Sequence, residues 1–207
     1  MNPPQWLAWA RELQAIAQTG LTYASDHYDI GRYNSVRRVA AQMLAEGTEF
    51  VDSSAVLEMI SADSGYATPK MDVRAAVFRQ DRILLVQERE DHCWTLPGGW
   101  ADIGDAPSEA AVREVREEAG YEVVPVKIAA VYDRDRHGHP PIVWHAWKLF
   151  FLCEIIGGQP ASGDETEAVE FFTEDQLPPL SATRITREEI ARMFDHRRHP
   201  EWPASFD

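Results

Sequence analysis

Three glutamates spaced for one helix face are the residues of this chain best suited to chemistry. In LPGGWADIGDAPSEAAVREVREEAGYEV, residues 96–123, Glu114, Glu117 and Glu118 stand at i, i+3 and i+4, so their carboxylates project together. Ala111, Val115 and Ala119 form the opposite row, able to pack on a sheet. Pro107 suits a first helical turn, and Gly120 suits the left-handed residue that ends the helix. Stacked like charges destabilise a helix, and the last two lie near its C-terminus, where the dipole disfavours anions. Local stability therefore does not select this cluster. A hard divalent cation would remove the penalty, and magnesium prefers such oxygens. Without the Gly98-Gly99 pair just upstream, a solvated acidic face would be the simpler reading.

The segment resembles the Nudix box, G-x5-E-x7-R-E-U-x-E-E-x-G-U, with U a bulky apolar residue. Gly99 opens it, and Arg113, Glu114, Val115, Glu117, Glu118 and Gly120 fall at its fixed positions. Asp105 replaces the usual Glu, and Tyr121 is aromatic rather than aliphatic. The resemblance implies that Glu114, Glu117 and Glu118 hold Mg²⁺, or Mn²⁺ in its place, with the Gly98 backbone carbonyl. Arg113 would orient a glutamate of the box, and a metal-activated water would attack phosphorus. Asp105 is one methylene shorter than Glu, so its contact with Arg113 is expected to run through water.

Outside the box, the resemblance offers further candidates. Arg89 matches a position where some members contact phosphate; the alternative is a solvated strand end. Trp100 either lines the pocket or joins the core. With Asp105 they form the substrate-side set. Glu165 and Glu167, in DETEAVEFFT, match a loop from which some members acting on nucleoside diphosphate sugars bring an extra glutamate. The catalytic candidates are thus Glu114, Arg113, Glu165 and Glu167, and the general base is either Glu114 or a loop glutamate. Trp6, Trp9, Tyr23, Tyr28, Tyr33, Trp94, Trp144 and Trp147 are aromatics that can stack on a base, most of them expected in the core.

Helices and strands must hold these residues in place. PQWLAWARELQAIAQ repeats apolar residues at steps of three and four, a helix ended by Gly20. DIGRYNSVRRVAAQMLAEG is a second, closed by Gly47, and SSAVLEMISAD a third, capped by Ser53 or Ser54. SGYATPK, residues 64–70, reads as a linker. Strands follow in VRAAVFR, ILLVQER, VVPVKIAAVYD, WHAWKLFFLCEII and AVEFFT, with helices at about 107–119 and 184–198. The expectation is an α+β chain: a small all-helical N-terminal domain, 1–68, and a Nudix α/β/α sandwich with a mixed sheet, 69–207.

Composition bounds the partners. Of 207 residues, 44% are hydrophobic, enough for a core. The formal net charge of -14 disfavours broad binding to DNA or RNA. Cys93 and Cys153 form no disulfide framework, and no leader or apolar span is visible, so a cytoplasmic protein is expected. The helical start and LPGGWADIGD look like one bacterial Nudix subgroup, which implies hydrolysis of nucleoside diphosphates linked to another moiety, such as ADP-ribose or CDP-choline. RNA 5′-end processing is the alternative enzyme reading, and a non-catalytic nucleotide-sugar sensor the non-enzymatic one. The Trp-rich N-terminal helices have little core of their own and imply a homodimer.

Overall fold

A computed structural model describes residues 3–48 and 52–207 of the chain. Residues 1–2 and 49–51, part of the expected helical domain, lie outside the described residues. The chain divides into two compact units. One comprises Met1–Lys70 with Pro140–His145, the other Met71–His139 with Ala146–Asp207.

The first unit is helical: α1 Gln5–Tyr23, α2 His27–Gly47 and α3 Ser53–Ala62. Gly20 does not end α1, which runs three residues further. A side chain at Gly20 would collide with the Tyr33 ring, and one at Gly47 with the Trp6 ring. These glycines let α1 and α2 approach, and small buried residues, Ala10, Ala41 and Ala45, share that seam. Asp52, not a serine, caps α3, accepting from the Ser54 N–H at 2.9 Å. Arg11 ties residues 142–144 to the unit, donating to the carbonyls of Ile142 (2.8 Å), Val143 (3.2 Å) and Trp144 (2.7 Å). The apolar residues of α1 are only partly covered. Leu7, Ala10 and Ala17 are covered, whereas Trp9, Ile16 and Tyr23 are exposed at 55, 50 and 72%. Tyr28 and Trp147 are exposed too, and Trp6, Tyr33, Trp94 and Trp144 are half-buried, so none of the eight aromatics is fully enclosed. Six of these rings belong to the first unit, and three helices have too little interior to enclose them.

The second unit carries the strands β1 Lys70–Arg79, β2 Arg82–Glu88, β3 Trp94–Thr95, β4 Tyr121–Asp133, β5 Ala146–Gly158, β6 Thr166–Phe172 and β7 Ser205–Phe206, with helices α4 Pro107–Ala119 and α5 Arg187–Arg198. β3 and β7 are two-residue strands that carry no periodic signal of their own. The strand order is β3-β2-β1-β5-β4-β7, with β6 beside β2. β4 and β5 run antiparallel, and β7 joins β4 in parallel, so the sheet is mixed. Alternation along the strands divides the core. Val73, Ala75, Val77, Leu84 and Val86 pack with Ala110, Ala111, Val115 and Ala119 of α4. Ala76, Ile83 and Leu85 pack with Ile190, Met193 and Phe194 of α5. Helices on both faces explain why these strands read as nearly unbroken apolar runs. This is the α/β/α sandwich expected from the sequence. Among the described residues, no helix is long and apolar enough to cross a membrane.

Candidate active site

The site is built where α4 meets the turn after β3. Pro107 starts α4, and the Glu109 carboxylate accepts from the Ala106 N–H at 3.0 Å. Gly120, at φ 73°, closes it. The alanine and valine row is buried on the sheet, leaving the glutamates on the turn side. β1 holds that turn by two bonds, Val73 N–H to Gly99 O and Ala75 N–H to Pro97 O, each 2.9 Å. Between them Gly98 sits at φ 143°, and a side chain there would strike the Val73 carbonyl. Only glycine fits this approach. The reward is placement: the Gly98 N–H donates to Glu118 Oε2 at 2.9 Å. A Cβ on Gly99 would lie 3.4 Å from Glu114 Oε1, so this glycine leaves room beside that carboxylate.

Arg113 organises the remaining acids. Its Nη1 donates to Glu114 Oε1 at 2.9 Å and to Glu117 Oε2 at 3.2 Å, and its Nε donates to Asp105 Oδ2 at 3.2 Å. Asp102 Oδ2 stands 3.3 Å from Nη2, without the alignment of a hydrogen bond. The water-mediated contact expected for Asp105 is therefore corrected: the shorter side chain reaches Arg113 directly. Asp105, placed on the substrate side from sequence, faces this guanidinium. Glu118 is the most enclosed of the three helix glutamates. Burial pushes its carboxyl up to about 8; Arg74 and the Gly98 N–H oppose the rise, and Glu114 and Glu88 add to it. Burial also raises the Glu114 carboxyl, against the pull of Arg113. Desolvated anions with this little compensation favour a cation or a proton.

The other candidates separate. Glu165 is exposed, and its carbonyl accepts from the Arg89 N–H at 3.0 Å, which brings those two positions side by side. The segment ahead of β6 is fastened to α4: Thr166 Oγ1 donates to Glu118 O at 2.9 Å and accepts from the Gly163 N–H at 2.8 Å. Glu167 is on β6 rather than in a loop, 2.9 Å from His92 Nδ1. Trp100 is 48% exposed, which removes the core alternative. Arg89 is exposed just past the end of β2.

Three further charged residues surround the cluster and were not singled out in the sequence. Arg74 and Glu88 are buried on β1 and β2. Burial raises the Glu88 carboxyl, opposed by Arg184 and Arg74. Arg184 Nε lies 3.3 Å from Glu88 Oε1, and the same guanidinium pairs with Glu90 and Asp91. The available signal was a charge inside an apolar run, in MDVRAAVF and ILLVQER. A charged group at such a position needs a buried partner.

Comparison with known proteins adds to this geometry. A profile described as "NUDIX domain" matches residues 68–194, and one described as "UDP-X-like, N-terminal oligomerisation domain" matches residues 4–60. The chain is similar to the "Putative ADP-ribose pyrophosphatase YjhB" of Bacillus subtilis, 43% identical over 98% of this chain and 97% of that protein. It is also similar to the crystal structure of an ADP-ribose pyrophosphatase from Streptococcus suis, at 41% identity and TM-score 0.63, covering 68% of this chain and all of that one. A crystal structure titled UDP-X diphosphatase covers all of both chains at 32% identity and TM-score 0.63.

Proposed function

The chain belongs to the Nudix hydrolase family and is a Nudix pyrophosphohydrolase; from that premise we propose that it cleaves the diphosphate of nucleoside diphosphates joined to a second group, of ADP-ribose or CDP-choline type, with Mg²⁺. The observation that carries this reading is the placement of Glu114 and Glu118 against the Gly98-Gly99 turn, with Glu118 enclosed against the Gly98 N–H and Glu117 joined to Glu114 through Arg113. The names of the relatives favour ADP-ribose.

The donor set is all oxygen and anionic, which fits a hard divalent cation. Glu114, Glu117, Glu118 and the Gly98 carbonyl would hold it, and when bound it supplies charge neutralisation of the diphosphate and a more acidic water. Arg113 keeps Glu114 and Glu117 from turning apart, and Asp105 holds Arg113. Arg89 would receive a phosphate. Glu165 would take the proton of the attacking water as its oxygen bonds to phosphorus and the bridging oxygen leaves with the other phosphate. Two contacts favour Glu165 for this role. Glu114 is engaged by Arg113 at 2.9 Å, and Glu167 by His92 at 2.9 Å.

The test is product analysis with ADP-ribose, CDP-choline, UDP-sugars, dinucleoside polyphosphates, nucleoside triphosphates and 5′-capped RNA, with Mg²⁺ and with excess EDTA. From ADP-ribose, CDP-choline or UDP-sugars, one nucleoside monophosphate and the phosphate monoester of the second group are expected, and neither in EDTA. Full turnover in EDTA, or turnover of RNA ends alone, would reject the reading. We also propose that the protein is a cytoplasmic homodimer, built as 1–68 and 69–207, with the exposed Trp9, Ile16 and Tyr23 stripe in the interface. Sedimentation at micromolar concentration as a monomer near 23 kDa would exclude the dimer.

A further inference from the structure

Arg74 neither binds the metal nor moves a proton in the proposed reaction, yet it is among the most enclosed charges of the chain. It lies in the middle of β1, where Asp72, Val73, Ala75, Ala76 and Val77 are all buried. An arginine there carries a large desolvation cost that only well-made partners offset. Its partners come from β1 itself and from the turn after β3. Nε donates to Asp72 Oδ1 at 3.0 Å, and Nη2 stands 3.0 Å from the same oxygen. Nη1 donates to the Leu96 carbonyl at 3.1 Å and approaches Thr95 Oγ1 at 3.4 Å. The guanidinium thus clamps the chain two residues ahead of Gly98, on the strand that also bonds Pro97 and Gly99. It is also a cation felt by Glu118 and Glu88 together.

We propose that Arg74 is a positioning residue of the metal site: its planar fork, anchored by Asp72, fixes the Thr95–Gly98 turn so that the Gly98 amide and carbonyl meet the α4 glutamates. The inference rests on the proposed metal site. The fork is the operative feature. A lysine would keep the charge, but its single ammonium cannot bridge Asp72 and the Leu96 carbonyl in one plane. Asp72 belongs to the same device, because it sets the direction in which Nη1 points.

The test measures Mn²⁺ binding by the loss of the free-ion paramagnetic resonance signal, with unfolding in EDTA recorded in parallel. Two variants are compared with the wild-type chain: Arg74→Lys, and the double variant Asp72→Asn/Arg74→Gln, which replaces the buried ion pair by neutral groups of similar shape and so protects the fold. Mn²⁺ dissociation constants at least about tenfold weaker in both are expected, with native near-ultraviolet dichroism in the double variant. A role confined to stability would lower the melting temperature and leave Mn²⁺ affinity of the folded protein unchanged, which would overturn the proposal. Arg74→Lys binding like wild type would mean that charge alone suffices and would overturn it too. A folded double variant within twofold of wild type would do the same. A wild-type chain that binds no Mn²⁺ would refute the metal reading instead, a distinct result.

Discussion

Replacing Glu118 by Gln should make the metal-free protein more stable at neutral and alkaline pH, although it removes a proposed metal ligand. Glu118 is buried, and its carboxyl is raised from 4.5 to about 8. An acid whose folded-state value is raised binds its proton more tightly when folded. Its contribution is therefore most favourable below 4.5 and is lost progressively as pH rises to 8. A pKa difference of one between folded and unfolded chains is worth about 1.4 kcal/mol, so the full penalty reaches about 5 kcal/mol above pH 8 and about 3 kcal/mol at pH 7. Glutamine keeps an acceptor for the Gly98 N–H but brings an amide needing a partner, a cost of about 1 kcal/mol. The expected net gain at pH 8 is about 3–4 kcal/mol, and at pH 5 it disappears. The assay is thermal and urea unfolding in EDTA at pH 5, 6.5 and 8, with wild type and Glu118→Gln side by side. With excess Mg²⁺ the order should invert, since a ligand that binds only the folded state stabilises by mass action. A stability difference that does not change with pH, or a variant melting below wild type at pH 8 in EDTA, would refute the reasoning.

Gly98→Ala should lose several kcal/mol and most turnover, because the new methyl strikes the Val73 carbonyl and the φ of 143° is strained for any side chain; the melting temperature and kcat report it. Glu165→Gln should lower kcat by roughly 10²–10⁴-fold with little change in KM, while Glu167→Gln stays within a few-fold. A large loss in Glu114→Gln with a normal Glu165→Gln would move the base to Glu114. Glu189 lies 2.8 Å from Lys148 Nζ and 3.0 Å from His139 Nε2 in the interior. Burial alone would raise its carboxyl, but Lys148 and His139 outweigh burial and hold it at about 2, so its stabilisation is present above pH 4.5 and is lost as pH falls toward 2. Glu189→Gln should cost about 3–5 kcal/mol at pH 7 by leaving Lys148 buried and unpaired, and adding Lys148→Met should restore much of it, as read by urea unfolding.

The sequence by itself determined the parts that depend on near neighbours in the chain. The span of α4, its Pro107 start and its Gly120 stop follow from local backbone preferences. The common projection of Glu114, Glu117 and Glu118 follows from 3.6 residues per turn. The two-faced sheet was legible in the order of elements, strands around one central helix with another helix at the end. Only the tertiary structure decided what distant segments do to one another. Gly20 looks like a helix terminator in sequence, but the ring of Tyr33 makes it a packing residue inside α1. Glu167 and Glu165 are equivalent on paper, until the pairing of β6 with β2 brings His92 to one of them. Arg74, Glu88 and Arg184 come from β1, β2 and the segment before α5, and no local pattern joins them. The burial of Arg74 and Glu88 is set by strand order and by helices on both faces of the sheet. The cost of a buried charge, and hence the identity of its partner, exists only once those faces are closed.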